Sequence, residues 1–236
     1  MKLHYHKDYG QMSRSCARYI LDALKRDPEQ LLCTATGHSP TGVYQEWTKA
    51  FQTEPQPFEK LKIIKLDEWG GISMDDPGSC ETFMQDHLLS NLNIGRDRYI
   101  SFASNADSPE KECDRIQKEL EQQGPIDICL LGLGKNGHIG LNEPAAFLSP
   151  HCHVARLSEA TLRHQMTGLM KSKPGYGLTL GMTDILSSKK IILLITGTGK
   201  KDIFAQLMSK KISTWLPASL LWEHADVECF VDLECV

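Results

Sequence analysis

The residues most able to do chemistry lie in one stretch, Gly132-Leu-Gly-Lys-Asn-Gly-His138, continued by Ile-Gly-Leu-Asn-Glu143-Pro144. An imidazole titrates near neutral pH, and a carboxylate that fixes one ring nitrogen leaves the other free to move a proton. Glu143 lies five residues beyond His138, within reach across a tight loop. The pair is therefore a candidate acid-base unit, although a histidine on its own is more often a hydrogen-bonded structural residue. Gly132, Gly134 and Gly137 also match a dinucleotide fingerprint, but Asn142-Glu143-Pro144 stands where that motif needs a long helix, which excludes the reading.

Three other short stretches carry candidate chemistry. In Leu66-Asp67-Glu68-Trp69 two carboxylates are adjacent, and on extended backbone only one of them can face a pocket. Either a catalytic acid or an acidic turn in water fits. In Thr34-Ala-Thr-Gly-His-Ser-Pro-Thr-Gly42, Ser39 is expected to cap a helix beginning at Pro40, leaving backbone N–H groups for an anion. A plain turn and cap is the alternative. In Ile195-Thr-Gly-Thr-Gly-Lys200-Lys201 a glycine-containing helix start carries a lysine, but Leu194 and Lys201 break the P-loop pattern. His151-Cys-His153 has no second ligand cluster at metal spacing, so no metal is expected.

The elements needed to position these groups are legible as alternation. Apolar runs near 31–35, 61–66, 98–102, 126–131, 190–196 and 227–231 read as strands. Helical periodicity appears near 11–26, 40–52, 79–91, 107–123, 158–171, 199–209 and 217–224, with 138–157 the least regular region. The pattern predicts an α/β fold, a doubly wound and mostly parallel sheet with helices on both faces and ligands beyond the carboxyl ends of its strands.

The 236 residues show no linker or repeat, so one domain spanning 1–236 is expected. A net charge of -4 gives no general basic surface for nucleic acid, and no apolar run is long enough to cross a bilayer. Eight cysteines without a C-x-x-C pair, several inside apolar runs, suit a reducing compartment, and a cytoplasmic protein is expected.

The chain resembles the glucosamine-6-phosphate deaminase and 6-phosphogluconolactonase superfamily over nearly its whole length. The resemblance rests on Ala35-Thr-Gly-His-Ser-Pro, Leu66-Asp-Glu-Trp, the Gly132 to Pro144 stretch and Gly-Thr-Gly-Lys200. Asn142-Glu143-Pro144 is similar to the deaminase branch. Within it, Lys65-Leu-Asp-Glu-Trp69, Pro77-Gly-Ser-Cys-Glu-Thr-Phe83, Gly134-Lys-Asn-Gly-His138 and Pro217-Ala-Ser219 with Trp222 most resemble galactosamine-6-phosphate deaminase/isomerases.

The resemblance implies a modified Rossmann fold and an enzyme that converts a hexosamine 6-phosphate to a ketose 6-phosphate and ammonia, a hydrolytic deamination. Galactosamine 6-phosphate giving tagatose 6-phosphate is the first choice. The alternatives are a glucosamine-6-phosphate deaminase giving fructose 6-phosphate, a 6-phosphogluconolactonase and a non-catalytic sugar-phosphate-sensing domain.

It further implies that His138, held by Glu143, opens the sugar ring, that Asp67 is the base at C1 and C2, and that Glu68 is a structural partner. Gly37, His38, Ser39, Gly134 and Lys200 are implied in binding substrate and phosphate. Asn136 stands where glucosamine enzymes usually carry aspartate, and an amide can take over only an electrostatic role. The family's phosphate-binding arginine, expected near Thr167, is missing, with Arg163 the nearby candidate. No organic cofactor is implied. The expected partner is a small sugar phosphate, with a homo-oligomer possible.

Overall fold

The computed structural model describes residues 1–159, 161–163 and 166–236, the side chain of Arg163 excepted. Its first half runs β1 (Lys2–His6), α1 (Tyr9–Arg26), β2 (Leu31–Thr34), α2 (His38–Thr53), β3 (Lys62–Lys65), β4 (Asp67–Gly70), α3 (Cys80–Met84), β5 (Tyr99–Ile100) and α4 (Pro109–Gln123). The second runs β6 (Ile128–Gly132), β7 (His153–Ala155), β8 (Tyr176–Thr179), α5 (Met182–Leu186), β9 (Lys190–Ile195), α6 (Lys201–Met208) and β10 (Val227–Asp232).

Seven strands form one sheet in the order β1-β10-β9-β6-β2-β3-β5. Every neighbouring pair in it is parallel. Successive strand side chains point to opposite faces, so an apolar run buries two cores at once. Cys33, Ile64, Leu131 and Leu193 pack on one face with Ile116, Ile185 and Leu207 from α4, α5 and α6. Leu32, Ile63, Leu130 and Leu194 pack on the other with Ile20 and Trp47 from α1 and α2. Helices thus cover both faces, as the alternation predicted.

Several local expectations differ. Ser39 is not the cap of α2: the helix starts at His38, its N-cap is Gly37 at φ 87°, and no side chain caps it. Gly37 suits that backbone because a side chain there would be strained. The helix expected over 79–91 is α3 followed by a π turn, Gln85–Leu89, and that over 217–224 is a 3₁₀ segment, Pro217–Glu223. Where a helix was expected over 158–171, the described residues form two 3₁₀ turns, Thr161–Arg163 and Met166–Leu169. Thr161, Thr167 and Gly168 within them disfavour a continuous α-helix.

A second sheet, β4-β8-β7, antiparallel throughout, was not anticipated. Its strands have three or four residues and include Gly70 and Gly177, which blur any two-residue period. It pairs Asp67 with Thr179 of β8, so Asp67, two residues beyond β3, is fixed by the second sheet.

Candidate active site

The loops after β9, β6, β2 and β3, four adjacent strands, meet at the carboxyl edge of the parallel sheet. There they enclose a cavity of about 410 Å³. Strands in a sheet are about 4.8 Å apart, so the outer two of these four lie roughly 14 Å from each other. Lys200 follows β9 at one end and Asp67 follows β3 at the other, with His138 and Ser39 contributed from between them.

The adjacent carboxylates separate as the extended backbone requires. Asp67 lines the cavity, whereas Glu68 is fully buried and turned away. Glu68 accepts from the backbone N–H of Trp69 at 2.7 Å, Cys80 at 2.9 Å and Glu81 at 2.8 Å, which satisfies the start of α3. It also accepts from Lys65 Nζ at 2.7 Å. Lys65, with no exposed surface, bonds Glu81 at 2.9 Å as well. The fixed Glu68 charge affects its neighbour. Burial, and then the Glu68 carboxylate, push the Asp67 carboxyl up to about 7, against the opposing pull of Lys65. A carboxyl poised there can take or give a proton near neutral pH.

His138 lies over Gly134, and any Cβ at that position would approach the imidazole ring to 2.4 Å. Gly134 thus permits the close approach, and its backbone N–H donates to the His138 carbonyl oxygen at 3.1 Å. The expected carboxylate–imidazole contact is looser than a hydrogen bond: His138 Nδ1 lies 3.7 Å from Glu143 Oε2 and is buried with no hydrogen-bond partner among the described residues. Three other groups hold Glu143 instead. Asn136 Nδ2 donates to Oε2 at 2.7 Å, Ser158 Oγ donates to Oε1 at 2.9 Å, and Thr161 Oγ1 donates to Oε1 as well. Burial would raise the Glu143 carboxyl, but His138, Thr161 and Asn136 outweigh it and hold the group down to about 2. Asn136 Oδ1 also accepts from the His138 backbone N–H at 3.2 Å. One amide therefore spans the imidazole's backbone and the carboxylate behind it.

At the other end Lys200 is buried, and its Nζ donates to the Leu133 carbonyl oxygen. Burial, and then the charge of Lys135, push its ammonium down to about 8. Beside it, His38 lines the cavity with its ring stacked on Tyr9 at 4.6 Å, and Ser39 lines it from the uncapped first turn of α2. Gly37 and Glu143 are not in the cavity wall: Gly37 shapes the turn between Thr36 and His38, and Glu143 lies behind Asn136. The Arg163 side chain lies outside the described residues. Thr167, at the expected arginine position, donates its hydroxyl to the Leu162 carbonyl at 2.8 Å.

Sequence reasoning missed Lys135 and Thr161 in the wall and Ser158 and Lys65 behind it. A lysine interrupting the apolar run at 65, and another inside the glycine loop at 135, were the available signals. Nothing local marked Ser158 or Thr161, because the fold brings them to Glu143 across 15 and 18 residues.

Relatives of known name agree with this architecture. The family model described as glucosamine-6-phosphate isomerases/6-phosphogluconolactonase matches residues 8–230. AgaI of Escherichia coli (strain K12), provisionally named a deaminase, is 37% identical over 96% of this chain and 90% of its own length. Glucosamine-6-phosphate deaminase 1 of Bacillus subtilis (strain 168) is 37% identical over 99% of this chain and 98% of its own. A solved monomeric glucosamine-6-phosphate deaminase superposes with a TM-score of 0.94 at 37% identity, covering 99% of this chain and 98% of that one. The chain belongs to the glucosamine-6-phosphate isomerase/6-phosphogluconolactonase family.

Proposed function

We propose that the protein is a hexosamine-6-phosphate deaminase/isomerase: it consumes a hexosamine 6-phosphate and water and yields a ketose 6-phosphate and ammonia. The observation that carries this reading is a single cavity with a carboxyl poised near pH 7 at one end, an imidazole between, and a buried lysine at the other. A phosphate held by Lys200 and the first turn of α2 orients the sugar toward Asp67. His138 moves a proton from the C1 hydroxyl to the ring oxygen, opening the ring. Asp67 then takes the C2 proton and returns it to C1, which converts the aminoaldose through an enolamine to a C2 iminium. Water adds at C2, and ammonia leaves. The electrons balance without an external oxidant. Each positioned proton transfer is worth about 10² to 10⁴ in rate.

The epimer we assign is galactosamine 6-phosphate, on the likeness of the Asp67 and Lys135-Asn136 loops to galactosamine enzymes. Equal identities of 37% to AgaI and to the Bacillus subtilis enzyme do not choose between epimers. Ammonia release from both hexosamine 6-phosphates and from free galactosamine tests the reading. The expected order is galactosamine 6-phosphate first, its glucosamine epimer second and the unphosphorylated sugar far behind. A reversed epimer order would move the substrate assignment. No ammonia from either, with rapid hydrolysis of 6-phosphogluconolactone, would overturn the function.

A further inference from the structure

The cationic end of the cavity holds more charge than Lys200 alone. Lys135 lines the same cavity from the loop after β6, and Lys200 lines it from the turn after β9, the neighbouring strand. Their proximity registers as mutual repulsion, since Lys135 opposes the protonation of Lys200. Among the described residues no carboxylate lies within ion-pair distance of either ammonium. Elsewhere the buried Lys65 takes two carboxylates, and surface lysines at 25, 49, 60, 189 and 190 each take one. Two unneutralised like charges on one cavity wall are costly unless an anion joins them, and a phosphate monoester at neutral pH brings close to two negative charges.

We propose that Lys135 is the second phosphate-binding cation of this cavity, so that Lys135 and Lys200 together hold the dianionic phosphate of the substrate. Lys200, fixed by the Leu133 carbonyl, is the rigid contact. Lys135, exposed and without an ion-pair partner among the described residues, closes on the ligand from the solvent side. The assignment of the anion as a sugar phosphate rests on the proposed function, but the two-lysine anion site does not.

Inorganic phosphate is the direct probe, titrated calorimetrically into wild type, Lys135→Gln and Lys135→Arg at 0.15 M and 0.5 M salt. Loss of a charge-assisted contact is expected to weaken phosphate about ten- to a hundredfold in Lys135→Gln, with Lys135→Arg recovering most of the loss. The KM for hexosamine 6-phosphate should rise by a similar factor, well beyond any fall in kcat. The ratio between variants should persist at 0.5 M salt, because a remote charge is screened over a few ångströms there whereas a contact is not. Equal phosphate affinity in wild type and Lys135→Gln, or a difference that vanishes at high salt, would overturn the proposal. Ammonia release with unchanged phosphate affinity would remove Lys135 while leaving the deaminase reading intact. Weakened phosphate binding with no ammonia from any hexosamine phosphate would do the reverse.

Discussion

At the scale of single residues, the chemistry depends on keeping like groups unlike. Asp67 and Glu68 are neighbours, yet one faces a cavity and the other is held by three backbone N–H groups and a buried lysine. The raised Asp67 carboxyl has a thermodynamic consequence. With an ordinary unfolded value near 3.9 and a folded value of about 7, the folded state holds the extra proton between them, so Asp67 favours folding at low pH and loses that contribution as pH rises to 7. Three pKa units correspond to roughly 4 kcal/mol, which relaxation and water entry reduce to about 2 kcal/mol, so Asp67→Asn should raise Tm at pH 8 by about 5 °C and far less at pH 4. Equal Tm changes at both values would contradict a raised pKa. Asn136 offers a second test at this scale. Asn136→Asp sets two carboxylates against each other across the present 2.7 Å contact with Glu143, and both cannot ionise freely. A new ionisation is expected in its kcat/KM profile that Asn136→Leu lacks; superimposable profiles would argue that the contact is irrelevant to turnover.

At the scale of elements, six of the seven strands of the main sheet were legible because buried parallel strands need unbroken apolar runs, and these run up to the segments that carry Asp67, His138 and Lys200; β1, Lys-Leu-His-Tyr-His at the end of the strand order, is only partly buried and carries no such run. The antiparallel sheet was not, since three- and four-residue strands held by long-range pairing leave little periodic trace. Ser39 was misassigned as a cap because Gly37, at positive φ, is the N-cap two residues earlier. Partners such as Ser158 and Thr161 meet Glu143 only through the tertiary fold. The junction between β4 and α3 rests on a buried ion pair, and removing one partner of such a pair costs about 3–5 kcal/mol. Lys65→Met should therefore lower stability by about that much in urea unfolding, whereas Lys62→Met, at an exposed position on the same strand, should change it by about 0.5 kcal/mol or less. Comparable losses from both would deny the junction its assigned importance.

For the whole molecule, the cavity's two ends titrate on either side of the physiological range, and the proposed reaction needs both in their charged forms. Asp67 must be ionised, which favours pH above about 7, and Lys200 must be protonated, which favours pH below about 8. A narrow bell for kcat/KM is expected between them, its alkaline limb carried by KM. The central claim is that one cavity uses Asp67 as the base for deamination, and the most direct test is ammonia release from hexosamine 6-phosphate by wild type and Asp67→Asn side by side, with circular dichroism and inorganic phosphate binding as checks on fold and anion site. Rapid release by wild type and a loss of at least about 10²-fold in kcat in a folded, phosphate-binding Asp67→Asn is the expected result; turnover by that variant close to wild type would contradict it.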